Sequence, residues 1–355
     1  MSLLVLNLGS TSFKYELFDS KDLSCLKKGS FEMTANEKGV EQEEVNRLFR
    51  EMMRQIGNIT EVEAVGHRVV HGGDKYFEVQ EIDTAEIFEL AKLNDLAPLH
   101  NPFNLAGIKA SNDYLPDIKD WAVFDTVFFK NLPDHSKIYP IPYTYYEEKG
   151  IRRFGFHGIS HKFAGQEAAK EIKIPFDKAK LVTVHLGGGS SICAIDRGKP
   201  IDTSMGYTPL EGLMMMTRCG DIGEGAVLEI IKNLETEDKQ EIVKEVNHIL
   251  NFKSGIKGIS GKEDYLELLK SVKWGDVKSK LAFEMYIHRI KKYIGAYMAV
   301  LGEVDAIVFT GKIGAGEKVT RNKIFDKNKF LKDNKVVVVE PHEELAIARE
   351  LSIQL

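Results

Sequence analysis

The sequence predicts an α/β fold made of two similar halves, and three observations carry that prediction. A strand, a turn of small residues and a second strand follow one another at 3–18 and again at 181–195. Strand-like and helix-like hydrophobic patterns alternate along the chain, the mark of α/β architecture with ligands at strand ends. The 355 residues suit about two domains, and no low-complexity linker separates the halves, so they are expected to meet at a hinge rather than a tether.

The elements follow in order. Residues 3–6 are an apolar strand that enters the turn Asn7-Leu8-Gly9-Ser10-Thr11-Ser12, and 13–18 form a second strand with Lys14 and Glu16 alternating outward. In 41–57, Val45, Leu48, Phe49, Met52, Met53 and Ile56 fall on one helical face, with Gly57 as C-cap. The mid-chain copy runs from the strand 181–185 through Leu186-Gly187-Gly188-Gly189-Ser190-Ser191 into the strand 192–195. Two copies about 180 residues apart suggest an internal duplication; fixed-period solenoid repeats are absent. Later, Phe283, Ile287, Ile290, Ile294, Tyr297 and Leu301 mark a core-facing helix ended by Gly302, and the strand 306–309 enters a third glycine-rich loop, Thr310-Gly311-Lys312-Ile313-Gly314-Ala315-Gly316.

Composition narrows the function. The chain is 43% hydrophobic and 28% charged, with 48 basic against 53 acidic residues for a net charge of −5. That is ordinary globular composition and a poor match to a nucleic-acid binder or a membrane-surface protein. Three widely spaced cysteines build neither a disulfide framework nor a zinc quartet and point to a reducing setting. No targeting segment and no apolar run long enough to span a bilayer is visible, so a cytoplasmic protein is expected. No histidine spacing suits zinc.

Glycine-rich turns leaving a strand expose successive backbone N–H groups to anions. One such turn is weak evidence; three, two of them carrying hydroxyls, are stronger. A Rossmann reading fails because its fingerprint needs a helix after the glycines, where here apolar alternation continues as strand, and no Walker A loop is present. Arg68, among the valines of Val65-Gly66-His67-Arg68-Val69-Val70, reads alone as a surface arginine; as a guanidinium fork it suits a carboxylate in a small apolar pocket. His157, flanked by Phe156 and Gly158, and Arg218, in Thr217-Arg218-Cys219-Gly220-Asp221, have comparable surroundings. Asp125, after the strand-like 121–124, stands where phosphoryl-transfer enzymes often hold Mg²⁺, though a turn or helix cap explains it as well.

Together these segments resemble the acetate kinase family of short-chain carboxylate kinases, in order and over nearly the whole chain. The matching segments are 7–14, 67–73, Leu96-Ala97-Pro98-Leu99-His100-Asn101-Pro102, 123–126, 152–161, 185–191, Asp202-Thr203-Ser204-Met205-Gly206, Thr208-Pro209-Leu210-Glu211-Gly212, 217–221, and Glu343-Glu344-Leu345 with Ala348-Arg349. The resemblance implies a duplicated actin-like (ribonuclease H-like) fold, catalysis in the interdomain cleft, and a homodimer. It implies one domain at 1–126 plus 343–355 and a second at 127–342. The reaction implied is reversible, Mg²⁺-dependent phosphoryl transfer from ATP to acetate or propionate. By position, Arg68 and Arg218 would hold the carboxylate and the transferring phosphoryl group, with His157 and His100 assisting. Asp125, Glu343 and Asn7 would organise Mg²⁺, and Asp125 would also align the reactants. Val70, Leu99, Phe156 and Pro209 would line the acyl pocket. Ser10, Ser12, Lys14, His185, Gly187, Gly189, Asp264, Gly311, Lys312 and Gly314 would lie toward phosphate and nucleotide.

Departures from the family pattern gather on the nucleotide side. Gly188 stands for an asparagine, Met214-Met215-Met216 for Pro-Met-Gly, and Lys262-Glu263-Asp264-Tyr265-Leu266 lacks the family's arginine. Lys312 stands where the family has glycine; its side chain would protrude into the adenosine pocket, reach inward as a counter-charge for phosphate or snorkel into solvent, and weaker ATP binding is predicted. The chain is also shorter than typical members. A non-nucleotide donor such as pyrophosphate, or a non-catalytic nucleotide-binding module, stay as alternative readings. A sugar kinase fits less well, because a small apolar pocket has no groups to read hydroxyls.

Overall fold

Strand β1 (Ser2–Leu8) is buried at all seven positions, as expected of an apolar run covered on both faces. The computed structural model, which describes residues 1–9, 12–33, 41–57, 61–98, 100–326, 331 and 333–355, places β1 inside a six-stranded sheet. β2 (Ser12–Asp19) pairs antiparallel with β1, and β3 (Cys25–Glu32) antiparallel with β2. On the other side β4 (Val62–Val69) runs parallel to β1, and β6 (Lys119–Phe124) parallel to β4; the short β5 (Gln80–Glu81) closes that edge, so the order is β3-β2-β1-β4-β6-β5. The amphipathic segment at 41–57 is the helix Gln42–Ile56, burying Val45, Leu48, Phe49, Met52 and Ile56, with Gly57 at φ 79° ending it. The C-terminal helix Glu343–Ser352 packs where Gly66 leaves room: a Cβ on Gly66 would lie 3.1 Å from Ile347 and 3.2 Å from Leu351.

The second sheet repeats the first. β7 (Lys180–Leu186) is joined antiparallel to β8 (Ser190–Asp196), and β8 antiparallel to β9 (Lys199–Thr203). β10 (Ala306–Thr310) runs parallel to β7, and β11 (Val336–Val338) parallel to β10, for the order β11-β10-β7-β8-β9. Leaving out β5, both sheets set the first strand in the middle, its hairpin partners on one side and two parallel strands on the other. The duplication expected from the two strand–turn–strand copies is therefore present as topology. The helix Val277–Leu301 buries Phe283, Ile287, Ile290, Ile294, Tyr297 and Leu301 in one core with Val182, Val184, Ile192 and Phe309.

The chain divides into two units, Met1–Lys130 with Phe156–Phe163 and His342–Leu355, and Asn131–Gly155 with Ala164–Pro341. Where the sequence placed all of 127–342 in the second half, residues 156–163 group with the first. The reason is local: the Gly158 N–H donates to the Asp125 carbonyl at 3.0 Å, and His161 meets Phe129 edge-on at 6.2 Å. The third glycine-rich segment departs from the expected loop as well. It is a short helix, Gly311–Gly316, because Gly311 adopts φ 80° and lets the backbone press onto Leu186, whose carbonyl oxygen would stand 2.5 Å from a Cβ there. Among the described residues, no helix is long and apolar enough to cross a membrane.

Candidate active site

In the first unit, three adjacent strands and one helix deliver the predicted polar residues to one place. Arg68 lies near the C-terminal end of β4, in register with Val123 of β6. Asp125 follows β6 directly, and its N–H still bonds to the Val69 carbonyl at 3.0 Å, so the two strands hold it opposite Arg68. The guanidinium grips the carboxylate as a fork, Nε to Oδ1 at 3.2 Å and Nη2 to Oδ2 at 2.7 Å. Its remaining nitrogen, Nη1, donates to Oε2 of Glu343 at 3.0 Å. Glu343 opens the C-terminal helix, where the helix dipole favours negative charge. Asn7 on β1 donates from Nδ2 to Glu343 at 3.2 Å and to Glu344 at 2.9 Å.

Burial alone would push the Arg68 pKa down; the charges of Asp125 and Glu343 reverse this and hold the guanidinium above its ordinary value. Burial pushes the Asp125 carboxyl up, and the Arg68 fork works against that push. The backbone N–H of His157 also donates to Asp125. His157 sits at φ 58°, a left-handed conformation uncommon for a residue with a Cβ, kept here by the bonds on either side of it.

The donor chemistry suits Mg²⁺ in a limited sense. Two carboxylates and an amide carbonyl are hard oxygen donors, and Mg²⁺ usually takes one or two protein carboxylates, completing its shell with water and substrate phosphate. Among the described residues no group of three His, Cys, Asp or Glu forms a cage. Any Mg²⁺ would therefore have to share Asp125 and Glu343 with Arg68.

Of the acyl-pocket residues, Val70 is buried, with its N–H bonded to the Asn104 amide oxygen at 3.0 Å, and Phe156 is fully buried, edge-on to His71 at 5.2 Å. His100 is half-buried just before the helix Asn101–Tyr114. Leu99 and Ser10 lie outside the described residues. Ser12 is half-buried at the start of β2, and Lys14 is exposed on it.

The second unit holds Arg218, 5% exposed. Its Nη1 donates to the carbonyl of the buried Pro209 at 2.7 Å, and no carboxylate among the described residues pairs with it. Burial pushes its pKa down to about 10, so the cation is carried at a cost that an anionic ligand would offset. His185 is buried at the end of β7. In the turn that follows, the Gly187 N–H bonds to the Gly189 carbonyl at 2.9 Å, as the Gly9 N–H bonds to Ser12 in the first unit. Those two N–H groups, expected to face an anion, close their own turns instead. Gly188 has open space around it, so packing does not demand glycine there.

The remaining nucleotide-side residues have structural explanations. Asp264 caps the helix Tyr265–Lys273, accepting from the Glu267 N–H. Gly311 allows the short helix to approach β7, while a Cβ on Gly314 would make ordinary contacts there. Lys312 is exposed on that helix. Sequence reasoning did not single out Glu344, which shares Asn7 with Glu343, or the backbone N–H groups of 157–158 that hold Asp125. No local pattern marks either, because the partners are far apart in the chain.

A sheet order repeated in two units, with a half-buried arginine near a strand end in the first and a buried arginine on a loop of the second, is the duplicated actin-like architecture of small-molecule kinases. The model of the acetokinase family matches residues 2–340. The acetate kinase of Halothermothrix orenii is 41% identical, the match covering 99% of this chain and 98% of that protein. That alignment runs over 396 positions, so the relative carries segments this 355-residue chain lacks. Among solved structures, Porphyromonas gingivalis acetate kinase is 34% identical with a TM-score of 0.86 and full coverage of both chains. A Francisella tularensis propionate kinase is 33% identical with a TM-score of 0.88 over 98% of each chain. The chain belongs to the acetokinase family, kinases whose acceptor is a carboxylate. Neither a pyrophosphate donor nor a non-catalytic role gains support from these relatives.

Proposed function

We propose that the chain transfers the terminal phosphoryl group of ATP to acetate or propionate, giving an acyl phosphate and ADP. The observation that carries this reading is Arg218, a buried guanidinium without a carboxylate partner among the described residues, in a chain whose relatives are acetate and propionate kinases. A short-chain carboxylic acid is already ionised near neutral pH, so no general base is needed. A carboxylate oxygen attacks the γ-phosphorus. The new O–P bond forms as the bond to the bridging oxygen breaks, and ADP leaves with that electron pair.

The protein's task is then positioning and charge neutralisation. In this reading Arg218 carries the charge of the transferring phosphoryl group, and Arg68 that of the acceptor. His157 and His100 assist. Val70, Phe156, Pro209 and Leu99 would give the acyl chain apolar surroundings, which the burial of Val70, Phe156 and Pro209 supports. Asp125, already engaged by Arg68 and by the His157 N–H, aligns rather than abstracts a proton. When bound, Mg²⁺ would be held by Asp125 and Glu343 with Asn7 and would neutralise phosphate charge. Ser10, Ser12, Lys14, His185, Gly187 and Gly189 would serve the phosphates, and Asp264, Gly311 and Gly314 the nucleotide side.

We also read the protein as a cytoplasmic homodimer. The helix Glu224–Lys232 carries Ala226, Val227, Leu228, Ile230 and Ile231 yet buries no residue, which supports a second copy covering it. Three free cysteines support a reducing compartment. Trapping acyl phosphate with hydroxylamine, with ATP and acetate, tests the activity: hydroxamate with wild type and its loss in Arg218→Ala are expected, and full activity in that variant would remove Arg218 from the reaction. Light scattering tests the dimer, which a monomer at micromolar concentration would exclude.

A further inference from the structure

The helix Val277–Leu301 does more than fill the core of its unit. Arg289 and Tyr293, one turn apart on it, both reach Asp221. Arg289 Nη1 donates to the Asp221 carbonyl at 3.0 Å, and the Tyr293 hydroxyl donates to Oδ2 of its carboxylate at 2.7 Å. The other oxygen, Oδ1, accepts the Gly212 N–H at 2.8 Å, and the Asp221 N–H returns a bond to the Gly212 carbonyl at 2.9 Å. Asp221 is thus a clasp that joins the two ends of the 212–221 loop, and Tyr293 holds the clasp to the long helix.

Arg218 lies inside the closed loop. Its carbonyl accepts the Met215 N–H at 3.0 Å, and Gly220, at φ 68°, turns the chain back against Leu213. Among the described residues no carboxylate aims the Arg218 side chain; the 212–221 backbone carries it, and its Nη1 donates to the Pro209 carbonyl at 2.7 Å. Burial and the neighbouring Asp221 charge push the Tyr293 phenol well up, so its hydroxyl stays protonated and remains a donor.

We propose that Tyr293 is a positioning residue for phosphoryl transfer, acting through Asp221 to fix the loop that aims Arg218. The inference rests on the reading of Arg218 as a transfer residue, and a double-mutant cycle separates the two. kcat, KM for ATP and acetate, and Tm are measured for wild type, Tyr293→Phe, Arg218→Ala and the double variant.

Loss of one hydrogen bond to a charged group should lower kcat of Tyr293→Phe about tenfold, with KM values within about twofold of wild type. In the Arg218→Ala background the same change should lower kcat by less than about twofold, because the residue it positions is gone. Losses that multiply independently, or wild-type kcat in Tyr293→Phe at unchanged Tm, would overturn the inference. Wild-type kcat in Arg218→Ala would instead overturn the reading beneath it. Should Tyr293→Phe fold poorly, Asp221→Asn keeps an acceptor for Gly212 and weakens the bond to Tyr293. It is expected to show the same kcat loss and the same non-additivity, and additivity there would equally sink the proposal.

Discussion

The Gly158 N–H donates to the carbonyl of Asp125 at 3.0 Å, and the two backbones approach so closely that a Cβ on residue 158 would collide with that oxygen. The same Cβ would lie 2.8 Å from Cβ of Phe128. Glycine is required here by close approach, since its neighbours on that side are backbone and cannot swing away. Gly158→Ala should therefore cost about 2–3 kcal/mol, as overpacking does. It should also lower kcat, because the displaced backbone carries Asp125 with it. Chemical denaturation and steady-state kinetics check this, and an alanine variant with wild-type Tm and kcat would contradict it.

The two arginines should respond oppositely to removal of their charge. Arg218→Met replaces a buried cation that has no carboxylate partner among the described residues, so the variant should be more stable by about 1–2 kcal/mol while kcat falls on the order of 10²-fold. Arg68→Met leaves the buried Asp125 and the half-buried Glu343 without their cation and should lose about 3–5 kcal/mol along with activity. Paired denaturation curves decide it; a shift of the same sign in both would refute the contrast.

Asp202 provides a pH test. Burial is the largest influence raising its pKa above 3.8, with Glu211 adding and Arg153 and two hydrogen bonds opposing. The folded state thus binds its proton more tightly than the unfolded state. Stability from this group is fully present below the unfolded value and is lost as pH rises through the folded one. Asp202→Asn, which cannot ionise, should raise Tm at pH 7, and the gain should vanish below about pH 4. Tm profiles of both proteins from pH 3 to 8 test this, and a gain independent of pH would exclude ionisation as the cause.

Lys312 was expected from the sequence to obstruct the nucleotide. It is exposed on the helix Gly311–Gly316. Lys312→Gly should cost about 1 kcal/mol through lost helix propensity and leave the ATP dissociation constant unchanged. Calorimetric titration settles the point, since tighter ATP binding by the glycine variant would show that the lysine does intrude.

The sequence by itself determined the repeated strand–turn–strand, the helical patterns at 41–57 and 283–301, and the identity of Arg68, Asp125, His157, Arg218 and Glu343 as candidates. These features are written locally, in hydrophobic periods of two and of about 3.6 residues and in short motifs. Tertiary structure alone decided the partners. Asn7 meets Glu343 across 336 residues of chain, and Arg68 meets it across 275. Tertiary structure also turned the third glycine loop into a helix, made Asp264 a cap, drew 156–163 into the first unit and left Arg218 without a carboxylate among the described residues. Such pairings arise when strands align side by side and bring distant residues within hydrogen-bond reach, and a contact made that way leaves no period or spacing in the sequence from which it could be read.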